Sequence, residues 1–113
     1  MRTASRVYSR MAEQAVLLMG RQIELARKNR HMSETELAKR IGVARGTVQR
    51  MEKGHPGVEI ATVFEAATVL GVPLFSEDCK QNALEPHIER TLSLIALMPK
   101  RARRKRVDVN DDF

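Results

Sequence analysis

The sequence predicts an all-α protein, and three observations carry that prediction. Apolar residues recur at intervals of three and four rather than two. The apolar set is Leu, Ile, Val, Ala and Met, with aromatics at only 4% and no Trp. The breaks between apolar stretches read as helix caps and helix stops. At 113 residues the chain suits one domain with tails. A domain of that size leaves much of its surface unburied, so a partner subunit would help it.

Five helical segments follow in order. The first runs from Ser9 to Asn29, with Val16, Met19, Ile23 and Ala26 on one stripe and Met11, Ala15 and Leu18 beside it. The second opens on a capping box, Ser33 with Glu36 three residues on, and Met32 and Leu37 are placed as a hydrophobic staple. Leu37, Ala38 and Ile41 point inward, and Gly42 suits the left-handed stop. The third spans Arg45 to Lys53 and ends at Gly54, before a His55-Pro56-Gly57 turn. The fourth, Ile60 to Leu70, sets Ile60, Val63, Phe64, Ala67 and Leu70 on its apolar face, and Gly71 and Pro73 end it. Val72 to Phe75 reads as a short extended piece that could pair as a strand with a partner. The fifth helix opens at Pro86, carries Ile88, Leu92 and Ile95, and stops at Pro99. Residues 100–113 show no apolar period and are expected to be a flexible tail, basic and then acidic.

Charge and cysteine content narrow the function classes. Residues 1–56 hold twelve Lys/Arg against five Asp/Glu, residues 57–99 hold two against six, and the last fourteen hold six against three. A basic front half beside an acidic back half fits a polyanion-binding face with a separate partner side, although a mixed solvated surface has the same counts. Cys79 is the one cysteine, so no disulfide forms within the chain, and His31, His55 and His87 lack ligand spacing. No metal site and no cofactor are expected. A reducing, cytoplasmic setting is the default. The basic first residues resemble a transit peptide only loosely, and no apolar run reaches the ~20 residues of a membrane span. Paired carboxylates, a nucleophile with its base, and a phosphate-binding glycine loop are all missing from the sequence, so no catalytic residue is nominated and no enzyme is expected.

The informative stretch is Ser33 to Lys53. A helix-turn-helix needs a small residue where its helices cross, here Ala38, and a residue tolerant of positive φ in the turn, here Gly42. Leu37 and Ile41 then anchor one helix and Val48 and Met51 the other. From about Leu18 to Phe75 the chain resembles the lambda-repressor-like (XRE, Cro/CI-type) helix-turn-helix family. The matching words are Glu36-Leu37-Ala38, Ile41-Gly42-Val43, Thr47-Val48, Glu52-Lys53-Gly54 and Val69-Leu70-Gly71-Val72. The resemblance implies a compact bundle of about five helices with the third in the major groove of DNA. The C-terminal helix region and basic tail are additions to it. The expected organisation is a DNA-binding domain over residues 1–75, a helical partner-facing extension over 76–99 and the tail over 100–113.

At ~100° per residue, Val48 and Met51 mark the buried side of the third helix. The opposite side presents Gly46, Gln49, Arg50 and Lys53, with Arg45 at its edge. Arg45, Gly46, Gln49 and Arg50 are the candidate base readers, since Arg pairs with guanine and Gln with adenine. Lys53, His55, Lys28 and Thr47 are the candidate phosphate contacts. A solvated helix face would use the same residue types. Against that, Ala44 stands where the family usually has a Ser or Thr cap, and Arg45 opposes the helix dipole. The resemblance also implies a structural ion pair between Arg27 and Glu52. Where the family commonly places a phosphate-holding Gln, this chain has Glu34, which would repel a phosphate, so that contact is not expected.

Ile88, Leu92 and Ile95 could be core or a dimer and partner seam. Such domains usually read palindromic operators in double-stranded DNA as homodimers. The back-half layout, with Pro99-Lys100-Arg101-Ala102-Arg103-Arg104-Lys105-Arg106 and a terminal Asp-Asp-Phe, resembles HipB-like antitoxins. That likeness implies a repressor partnered by a HipA-like kinase toxin and placed on the bacterial nucleoid. A stand-alone or phage-type regulator, and a protein-interaction module that binds no DNA, are the other readings.

Overall fold

The computed structural model describes residues 6–75 and 83–100. Five helices appear among them: α1 (Arg10–Asn29), α2 (Glu34–Ile41), α3 (Arg45–Glu52), α4 (Ile60–Leu70) and α5 (Glu85–Ala96). No strand is present among the described residues. Val72 to Leu74 lie in irregular backbone, and Phe75 takes a positive φ of 65° that breaks any extended run. The chain divides into two compact units, residues 1–81 and 82–113. The expected tail beyond residue 100, the segment 76–82 and Cys79 lie outside the described residues.

The helices of the first unit begin and end where local chemistry dictates. Ser9 caps α1 by accepting from the Ala12 N–H at 3.2 Å. The Ser33 hydroxyl accepts from the Glu36 N–H at 3.0 Å, and Glu36 accepts from the Ser33 N–H at 2.7 Å, so both halves of the capping box form. At the end of α1 the left-handed residue is His31, with φ 55°, where glycine is usual. The Met32 N–H still returns to the Arg27 carbonyl at 3.1 Å and the His31 N–H to that of Lys28 at 2.9 Å.

Four helices enclose one core. α1 packs on α3 and α4, and α2 packs on the same two. Ile23, Leu37, Ala38, Val48, Met51, Ala66, Ala67, Leu70 and Val72 are buried there, with Met19, Ala26, Met32 and Ile41 against their edge. Two expected stripes need correction. Ile60 is 68% exposed, whereas Ala67 and Leu70 of the expected α4 stripe are buried and Ala66 is buried beside them. The α4 stripe thus stands from Val63 onward and fails only at Ile60, in the first turn. In α1, Val16, Met11 and Leu18 are exposed, because only its second half lies on the core.

Gly20 explains how closely α1 approaches α3. A Cβ there would collide with the Met51 carbonyl oxygen and stand 3.0 Å from that of Glu52. Next to this crossing, Arg27 (7% exposed) and Glu52 (3%) are buried together. Arg27 Nε donates to Glu52 Oε2 at 2.6 Å and Nη2 to Oε1 at 2.9 Å, a bidentate pair. Arg27 Nη1 also donates to the Met32 carbonyl at 2.9 Å. The bonds to Glu52 hold the guanidinium further into its charged form, against the opposing effect of burial.

Two stability outcomes follow. Gly20→Ala would ordinarily raise helix stability, but here it should cost about 1–3 kcal/mol by overpacking, read as a lower urea midpoint. Glu52→Leu should cost about 3–5 kcal/mol by leaving the guanidinium unpaired, and adding Arg27→Met should recover most of that loss. Equal losses for the single and double variants would show that the pair is not the source.

Candidate nucleic-acid interface

Helix α3 is short, and its interior breaks local rules. Its N-cap Ala44 makes no side-chain bond, and its first turn holds no acid. Its inner side is nonetheless fully engaged, with Val48, Met51 and Glu52 buried. That burial fixes the roll of the helix, and the remaining positions turn outward. Arg45, Arg50 and Lys53 are exposed, while Gly46, Thr47 and Gln49 are half-buried.

The outward residues are linked to one another and to α2. Arg50 Nη2 donates to Thr47 Oγ1 at 3.3 Å, one turn back along the helix. Arg45 Nε and Gln49 Nε2 both donate to Glu34 Oε1, each at 3.3 Å. Glu34 is the first residue of α2, and its other oxygen stands 4.0 Å from Arg27 Nη2. The negative charge that α3 lacks in its own first turn is thus supplied by a neighbouring helix. Arg45 opposes the α3 dipole less than the sequence suggests, because a carboxylate partners it. Glu34 was legible as a repulsive group, but its two partners, eleven and fifteen residues on, were not.

Gly46 lies in the middle of this face. A Cβ there would meet only Arg50 Nη1, at an ordinary 3.6 Å. Nothing among the described residues requires glycine at this position, although glycine costs a helix roughly 1 kcal/mol relative to alanine.

The candidate phosphate contacts are placed separately. The His55 ring accepts from the Gly57 N–H through Nδ1 at 2.8 Å, so the neutral ring carries its proton on Nε2. Lys53 caps the end of α3. Lys28 sits on α1, exposed and paired with Glu24 at 3.0 Å, and that pair, with Arg21, holds the Glu24 carboxyl below its ordinary range. In the second unit, Ile88, Leu92 and Ile95 of α5 are 56%, 57% and 58% exposed, so they are not core in the chain as described. Among the described residues no group of three His, Cys, Asp or Glu side chains could hold a metal, and no helix is long and apolar enough to cross a membrane.

Residues 23–75 match the family model described as Helix-turn-helix. No curated protein and no solved structure matches the chain. The matched segment begins at the buried Ile23, runs through α2, Gly42 and α3, and closes after α4. With the all-helical fold and the exposed basic face of α3, the match makes this segment, a little under half of the chain, similar to the lambda-repressor-like (XRE-type) helix-turn-helix regulators that bind DNA.

Proposed function

We propose that the protein is a dimeric repressor that reads a palindromic operator with the outer face of α3, and that it acts as the antitoxin of a HipA-like kinase toxin. The observation that carries the DNA-reading part is the pairing of Arg45, Gln49 and Arg50 with an unconstrained Gly46 on one exposed face. Gly46 lets the backbone come close to the groove floor. Arg45 and Arg50 then suit guanine edges and Gln49 an adenine edge, each good pair being worth ~1–3 kcal/mol of discrimination. Lys53, His55 Nε2, Lys28 and the Thr47 hydroxyl supply phosphate contacts that set register without reading sequence.

The α5 stripe supports the dimer. Three large aliphatic side chains at spacings of four and three make a narrow apolar seam of the kind that pairs helices. A second copy doubles the DNA contact and sets two recognition helices about 34 Å apart. The antitoxin role rests on the likeness of the C-terminal layout to HipB-like proteins. A kinase-like gene beside this one would support it, and co-purification with that kinase would test it directly. A regulator of stand-alone or phage type shares every DNA-reading residue and differs only in lacking that partner.

A gel shift with the upstream region of the protein's own gene should give a specific band that weakens steeply with salt. Absence of such a band would leave a protein-interaction module as the better reading. Arg50→Ala should relax the preference for one base position, whereas Lys53→Ala should weaken binding to all duplexes alike and flatten the salt slope by about one. Identical behaviour of the two would refute the assignment of the face. Leu92→Glu should shift the chain from dimer to monomer in sedimentation with its helix content retained; an unchanged mass would move the seam elsewhere.

A further inference from the structure

Glu34 is placed where a DNA reader gains least from a negative charge. It lies at the start of α2, beside the outer face of α3, and it holds two of the residues proposed to read bases. Its own position is firm. The capping box fixes the turn that precedes it, and Arg27 Nη2, itself bound to the buried Glu52, stands 4.0 Å from its second oxygen.

We infer that Glu34 is a specificity-determining positioning residue, whose carboxylate orients the Gln49 amide and weakens binding to DNA that lacks the operator sequence. The inference rests on the reading that α3 contacts bases. An ionised carboxylate only accepts hydrogen bonds. Gln49 must therefore turn Nε2 toward it, which excludes the flipped amide. Oε1 and the second Nε2 hydrogen are left for a base edge, and an acceptor beside a donor is the pattern adenine requires. Arg45 is held through Nε alone, so its terminal nitrogens stay available.

The same charge acts differently on the two kinds of DNA. Near any phosphate it is repulsive and competes with the backbone for Arg45. On a non-cognate duplex that penalty has nothing to offset it. On the operator, an amide already turned to the correct edge restores part of the loss. Discrimination thus comes from a repulsive element as well as an attractive one.

The test uses the full chain, wild type and Glu34→Gln. A glutamine at position 34 can accept from or donate to Gln49, so it removes both the charge and the enforced orientation while keeping the shape. Anisotropy titrations over a salt series would compare the tightest duplex recovered by in vitro selection with a scrambled one. Glu34→Gln should bind the scrambled duplex about two- to five-fold more tightly, the range spanned by one exposed ion pair. Its salt slope should steepen by about 0.9, as for one more phosphate neutralised. The selected duplex should gain less, so the ratio of affinities falls. In the free protein, the Gln49 side-chain amide resonances should move toward solvent-exposed positions in Glu34→Ala, which leaves no acceptor at position 34. A wild-type ratio and slope in Glu34→Gln, or unmoved Gln49 resonances in Glu34→Ala, would overturn the inference. Wild-type protein that binds neither duplex in a salt-sensitive way would overturn the DNA-reading assignment itself, and this inference with it.

Discussion

Arg27 and Glu52 are the point on which α1, α2 and α3 agree about their positions. Removing two charges from water costs several kcal/mol per ion, and mutual attraction recovers that only when the remaining donors are also satisfied. Here they are. Two guanidinium nitrogens face both carboxylate oxygens, and a third reaches the Met32 carbonyl in the turn between α1 and α2. A well-packed apolar pair could give equal stability. What the ion pair adds is direction, because a bidentate bond tolerates little rotation. Glu52 therefore holds the end of α3 in one orientation relative to α1, and the backbone contact at Gly20 sets the distance between them.

From that pair a line of alternating charge runs outward to the surface: Glu52, Arg27, Glu34, then Arg45. Burial falls along the same line, so the inner bonds are strong and the outer ones weak and replaceable. This gradation suits a binding face. On the proposed reading Arg45 exchanges a protein partner for DNA, and its contact with Glu34 at 3.3 Å is exposed and exchangeable rather than fully desolvated.

Features written in neighbouring residues were legible in the sequence. The Ser33–Glu36 capping box, the stop at Gly42 and the bounds of α4 depend on chemistry within one or two turns, and they stand where periodicity and punctuation placed them. Periodicity was less informative about how far each face is covered. It put Ile60 on the apolar side of α4 without revealing that the start of that helix stays exposed, and it gave no warning that Ala66 would be enclosed. Contacts between distant segments left no local trace. Gly20 is an unremarked glycine until the backbone of α3 is laid across it. Glu34 reads as a first-turn acid that would repel a phosphate until Arg45 and Gln49 arrive from eleven and fifteen residues away. His31 takes a left-handed conformation with nothing in its residue type to announce it.

The two sides of α3 divide stability from recognition. Its outer side and its start carry an uncapped N-terminus, a cation opposing the dipole and an interior glycine, each costing roughly 0.5–1 kcal/mol. Eight residues with those handicaps would not stay helical alone in water. They do so here because the inner side places Val48, Met51 and Glu52 in the core. The helix owes its existence to one face and leaves the other free to be shaped by a ligand. Local rules are broken where the surface has a task beyond folding. On α3 the breaches gather at Ala44, Arg45 and Gly46, beside the residues aimed outward, while inward Val48 and Met51 are apolar and buried and Glu52 is paired with Arg27.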